Sequence, residues 1–160
     1  MDSRKEQLRN WYACVWENGQ TDLVDEMMAP NARINGLEED TLIGPEDFKR
    51  FQTMLLSFVR DVKVALPVMI VDGDWVAATL LIDGVIRKGG QSFRTSGQII
   101  LRFEDDLIIE AYNQVNLFPF FEGAGLLPER TVDHCLMGIR PRFDADVATP
   151  QDLIGGAGAY

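Results

Sequence analysis

Histidine is almost missing from this chain. One residue, His134, serves all 160 positions. The side chain that most often titrates near neutral pH is therefore scarce, and acid–base chemistry would fall on carboxylates or tyrosines. Cysteine is scarce too, with Cys14 and Cys135 alone. Two thiols make no disulfide framework beyond a single Cys14–Cys135 pair, and reduced thiols are the expectation. With one histidine and two distant thiols, no metal-ligand set is expected. No cofactor is expected either, because Gly89-Gly90 and Gly155-Gly156 lack the strand–loop–helix setting of a phosphate cradle. No apolar run is long enough to cross a bilayer, and the opening MDSRKEQLRN has no apolar signal core. Basic residues are outnumbered, 15 against 25 acidic, for a net charge of −10. That balance argues against nucleic acid, which needs a basic surface, and against docking on anionic membrane. A cytoplasmic protein is the expectation.

What is present is ordinary for a soluble domain. Hydrophobic residues make up 46% and charged residues 25%, enough for one domain with a real core. Ser3 and Glu6 have capping-box spacing, so a helix starts near Arg4. Leu8, Trp11, Tyr12, Val15 and Trp16 follow on one apolar helix face, and Asn18-Gly19 ends it. Thr21 caps a second helix, Asp22 to Met28, and a short strand runs from Ala32 to Leu37. Gly44-Pro45 opens a third helix with Phe48, Phe51, Leu55 and Phe58 on one face. Strand periodicity then takes over. Val62 to Val71 reads as one strand, Asp72-Gly73 as a tight turn, and Trp75 to Arg87 as the next strand. The pattern predicts an α+β fold: a strongly curved antiparallel sheet with helices on one face.

The most informative stretch is Phe93 to Pro128, FRTSGQIILRFEDDLIIEAYNQVNLFPFFEGAGLLP. It reads as two long strands joined at Asp105-Asp106. Arg94, Ser96, Gln98 and Arg102 alternate on the first strand, and Glu110, Tyr112, Gln114 and Asn116 on the second. Alternate residues share a face. The reading is that this polar face lines a cavity, with Tyr12 and Trp16 reaching in from the first helix and Trp16, Phe51 and Leu55 as its apolar walls. Core packing is the bland alternative for Tyr12 and Trp16. A three-residue turn would pair Arg102 with Glu110, as a structural ion pair or as an anion clamp. A two-residue turn would put them on opposite faces. Asp83 is the one carboxylate in mid-strand and a candidate base, although Gly84 beside it suggests a bulge. Asp133-His134-Cys135 resembles a nucleophile cluster, but neighbours in sequence rarely aim at one atom. Residues 129–160, with Pro141, Pro150 and the ending GGAGAY, read as a tail packing on the 1–128 domain or on a partner subunit, with one helical turn around Val132 to Met137.

The segments LRNWYACVWENGQTDLVDEMMAP, GPEDFKRFQTMLLSFVRDVKVALPVMIVDGDWVAA and EAYNQVNLFPFFEGAGLLP resemble, in order and spacing, the SnoaL-like polyketide cyclase group of the nuclear transport factor 2-like superfamily. The resemblance covers roughly residues 8 to 128. It implies a cone-shaped α+β roll that encloses a pocket, and a homodimer through the outer sheet face. It also implies that Asn116 stands where the cyclases carry a base aspartate, Arg102 where they carry a histidine, and Asn35 where another histidine often lies. An amide does not titrate and a guanidinium stays protonated, so neither replaces a base. Ketosteroid isomerases resemble the opening through Tyr12 and Gly19, and their base aspartate would fall near Asn35 or Gly36. The Arg-x-Asp pattern of limonene-epoxide hydrolases appears only in the tail.

Three readings follow. The first is a protein that binds a small, largely apolar, oxygen-bearing molecule through Tyr12, Trp16, Asn35, Arg102, Tyr112, Gln114 and Asn116. The second is an isomerase, cyclase or hydrolase using Asp83 or Glu110 as base. The third is an interaction module using the sheet face.

Overall fold

The computed structural model describes residues 3–143. The capping-box helix forms as α1, Ser3–Trp11, and runs directly into a π-helical segment, Tyr12–Glu17. Gly19 follows with φ +64°, the left-handed exit that glycine makes easily. The second helix, α2, is Leu23–Met27. The Thr21 hydroxyl turns back to donate to the Gly19 carbonyl instead of capping α2. Strand β1, Met28–Asn35, starts earlier than the sequence suggested, and a two-residue β2, Leu42–Ile43, leads into α3, Gly44–Phe58.

The expected strand Val62 to Val71 is two strands, β3 (Val59–Ala65) and β4 (Met69–Asp72). Pro67 sits between them and has no N–H for a ladder. Both pair antiparallel with β5, Trp75–Ile86. The bulge anticipated at Gly84 lies across from it: the β3–β5 register shifts between Arg60 and Lys63, where Asp61 has φ 53°. Gly84 itself holds its register against Phe93, and a Cβ there would collide with the Phe93 ring at 2.7 Å.

Strands β6 (Ser92–Glu104) and β7 (Leu107–Val115) form the long central hairpin. Its turn is the two residues Asp105-Asp106, both with positive φ. A two-residue turn alone would have separated Arg102 from Glu110. A bulge at Ile109 restores the pairing, with Phe103 opposite Ile108 and Arg102 opposite Glu110. The sheet order is β2-β1-β7-β6-β5-β3, with β4 also on β5. It is mixed and not wholly antiparallel as expected, because β1 runs parallel to β7. Two short helices, α4 (Phe118–Gly123) and α5 (Thr131–Leu136), close the described chain. The α5 turn matches the one expected near Val132. Residues 144–160 of the expected tail lie outside the described residues.

The helices pack on the concave face of the sheet. Leu8, Trp11, Val15 and Phe48 meet Val76, Ile99, Leu101 and Ala111 in one buried cluster. A second cluster gathers Val59, Val62, Ile86 and Phe120 at the α4 end. Among the described residues, no helix is long and apolar enough to cross a membrane.

Candidate functional site

Between the helices and the concave sheet face lies a cavity of about 120 Å³. Trp16, Phe51 and Leu55 form its helical wall, Leu80 and Phe93 its sheet wall, and Phe120 of α4 reaches into it. Three polar side chains interrupt this apolar lining: Tyr12, Thr95 and Asn113. A smaller void of about 20 Å³ lies behind them, and Tyr12, Trp16 and Asn113 line both spaces.

Tyr12 is only 7% exposed, and its hydroxyl has no hydrogen-bond partner among the described residues. Burial pushes its phenol far above the ordinary tyrosine range, so it stays a neutral donor. Asn113 is held from one side. Its Nδ2 donates to the Asn35 carbonyl at 3.0 Å, which leaves Oδ1 as the acceptor. The Asn35 side chain donates to the Ala111 carbonyl at 3.1 Å and accepts from Thr41 at 2.8 Å. Asn35 therefore clasps β1 to β7 and acts on the cavity through Asn113. The Thr95 hydroxyl is used up by the Asn116 carbonyl.

The polar alternation expected to line the cavity lies on the other face of the sheet. Odd-numbered β6 and β7 residues such as Thr95, Ile99, Asn113 and Val115 turn inward, and Gln98, Arg102, Glu110, Tyr112 and Gln114 turn out. The physical reason is that the concave face must bury its side chains against α1 and α3, so the more apolar parity wins it. Tyr112 is 45% exposed. Arg102 donates through Nε to Glu110 at 3.0 Å and stacks its guanidinium 5.6 Å from the Trp75 ring centre. The Tyr112 hydroxyl donates to the same carboxylate. Those hydrogen bonds, Tyr112 first and Arg102 second, hold Glu110 below its usual range. Asp83 also faces outward. It pairs with Arg94 at 2.6 Å, and that bond lowers its carboxyl likewise. Both candidate bases are thus ionised partners of arginines outside the cavity, which corrects their expected placement. Gln114 and Asn116 border an open outer groove of about 830 Å³ beside α4, where Asn116 Oδ1 accepts from the Phe118 N–H at 3.2 Å. Of the sequence-derived site residues, Tyr12 and Trp16 line the cavity. Asn113 was missed, although it is the single polar residue on the Ala111–Asn113–Val115 parity. Among the described residues no cluster of three metal-ligating side chains forms.

The SnoaL-like polyketide cyclase family model matches residues 6–122. The chain belongs to this family. Solved relatives have the same nuclear transport factor 2-like fold. TsrD from Streptomyces laurentii superposes with a TM-score of 0.68 at 19% identity, over 79% of this chain and 98% of its own. AclR from Streptomyces galilaeus gives 0.71 at 18% identity, over 86% and 92%. A SnoaL-like polyketide cyclase from Agrobacterium tumefaciens gives 0.64 at 12%, over 75% and 96%. At these identities the likeness shows the fold. Among curated proteins none matches the chain by sequence. For this SnoaL-like protein the geometry matters in one respect above all. The asparagine of the last strand that reaches the cavity is Asn113; Asn116, which the sequence match put at the base position, lies just past the strand and accepts from the Phe118 N–H beside the outer groove.

Proposed function

We propose that this SnoaL-like protein binds a small, largely apolar molecule carrying one oxygen function inside the cone. The observation that carries the reading is the cavity lining: apolar walls, the Tyr12 phenol on a residue 7% exposed, the Asn113 amide, and, among the described residues, no carboxylate or imidazole. An unpartnered buried hydroxyl is costly unless a guest or water satisfies it. Tyr12 donating and Asn113 Oδ1 accepting suit a hydroxyl, and Tyr12 alone suits a carbonyl. A cavity of about 150 Å³ holds benzene, so this one, at about 120 Å³, suits at most a single ring or a short chain. No described residue at the cavity is a carboxylate or imidazole base, which favours binding over cyclisation. A fluorine-NMR titration with 4-fluorophenol and 4-fluorotoluene tests the reading. Preferential binding of the phenol supports it; equal or absent binding contradicts it.

A homodimer through the convex sheet face belongs to the same proposal. Ile70 is 64% exposed there, with Trp75, Leu81, Ile100 and Tyr112 beside it. Exposed apolar surface of this kind marks contact sites. The charges among them are already paired as Asp83–Arg94 and Arg102–Glu110. Native mass spectrometry of the wild type and of Ile100→Lys is the check, with a dimer expected for the first and a monomer for the second. The two unbonded thiols, Cys14 and Cys135, suit a reducing cytoplasm.

A further inference from the structure

We propose that Gln52 is a positioning residue for the cavity: its amide holds the π-helical turn that carries Tyr12 inward. The inference rests on the binding role assigned to Tyr12 above.

The π-helical segment has the wide hydrogen-bond pattern of its class. Asn18 N–H donates to the Ala13 carbonyl five residues back at 3.0 Å, and past the segment Gln20 N–H closes a still wider exit turn on the Cys14 carbonyl at 2.9 Å. Among the described residues the next carbonyl, that of the fully buried Val15, has no backbone donor. Gln52 on α3 fills that vacancy, donating from Nε2 at 2.6 Å. Gln52 is itself 0% exposed, and its Oε1 has no partner among the described residues. A half-satisfied amide in a core is unfavourable compared with an aliphatic side chain of similar size. Its one side-chain bond among the described residues is to the π turn, so that bond is what the amide supplies. Glu17 fastens the other side of the segment, accepting from the Val64 N–H at 2.8 Å.

Without the Gln52 donor, the Val15 carbonyl regains a partner most directly by a return to α-helical spacing. That change removes the extra residue of the wide turn and rotates Tyr12 relative to Trp16. Tyr12 would then lose its aim while the apolar walls from α3 and the sheet stay in place.

The test is the affinity ratio of 4-fluorophenol to 4-fluorotoluene. Gln52→Leu is expected to cut the ratio roughly fivefold, the scale of one hydrogen bond. The ratio should fall to that of Tyr12→Phe, with 4-fluorotoluene affinity unchanged, and the double variant should fall no further. A merely structural role would weaken both probes together and overturn the proposal. So would a wild-type ratio in Gln52→Leu beside a lost ratio in Tyr12→Phe. If Tyr12→Phe itself leaves the ratio intact, the binding role of Tyr12 fails first, and Gln52 falls with it. Should Gln52→Leu not fold, Gln52→Glu decides. A protonated carboxyl can donate to Val15 and an ionised one cannot, so the ratio should stay wild-type near about pH 5 and drop near about pH 8. A ratio in that variant that is flat across the range would overturn the proposal.

Discussion

Replacing Tyr12 with phenylalanine should make the empty protein more stable and the binding weaker. The ring stays, so the packing of α1 and the π-helical segment against the sheet is kept. Only the hydroxyl goes, at a position 7% exposed, with no hydrogen bond among the described residues. A buried hydroxyl without a partner costs about 1–3 kcal/mol by mutational measures. Its position on the cavity lets water offset part of that, so a gain of about 1 kcal/mol is the expectation. For a domain of this size that is a rise of about 2–4 °C in Tm, read by calorimetry on ligand-free protein. Binding should move the other way. Losing one neutral hydrogen bond of about 1 kcal/mol weakens 4-fluorophenol roughly fivefold and leaves 4-fluorotoluene unchanged. A lower Tm would refute the reasoning, because it would mean that the hydroxyl already serves the fold. An unchanged 4-fluorophenol affinity would refute it from the other side.

Asn113→Asp should place a carboxylate in an apolar cavity and remove the donor to Asn35. Burial raises its pKa in the folded state, so that state binds more protons and the variant loses stability relative to wild type as pH rises from about 4 to 8. Paired thermal melts across that range should diverge, and parallel melts would contradict the burial. Glu110 works in the opposite direction. Its carboxyl is lowered by Tyr112 and Arg102, so its contribution is full above the unfolded carboxylate range and is lost as pH falls below about 4.5. The Tm difference between wild type and Glu110→Gln should therefore shrink on the acid side of that value; a constant difference would show that the ion pair carries no stability. Phe120→Ala should destabilise by about 3–5 kcal/mol, since the ring is buried against Phe58, Phe93 and Phe121. If the protein still folds, the enlarged cavity should accept the two-ring 1-naphthol, which the wild type excludes by volume. Equal binding of 1-naphthol by both would show that α4 opens freely.

Much of the scaffold was legible because local chemistry agreed with the fold. Ser3 and Glu6 marked α1, Gly44-Pro45 marked α3, and Asp72-Gly73 and Asp105-Asp106 marked turns that the structure keeps. The site was less legible, and parity is the reason. A strand pattern shows that Asn113 and Gln114 face opposite ways, but which face meets the helices depends on total burial. On β6 and β7 the visually richer polar set belongs to the outside. The Ile109 bulge adds a second obstacle. It rescues the Arg102–Glu110 pairing that a two-residue turn would have broken, and nothing in the IIE triplet announces an extra residue. Non-local pairing was hidden in the same way. The parallel contact of β1 with β7 joins segments far apart in sequence. The π-helical turn was also invisible, since Tyr12, Val15 and Trp16 fit α-helical spacing equally well.

Locating the guest tests the central claim most directly. The measurement is intermolecular NOEs from bound 4-fluorophenol to assigned side-chain protons of the wild-type protein. The account predicts contacts to the Trp16 indole, the Tyr12 ring and the Asn113 amide inside the cone. Contacts to Gln98, Gln114 and Phe118 in the outer groove would put the site on the other face of the sheet and contradict the account.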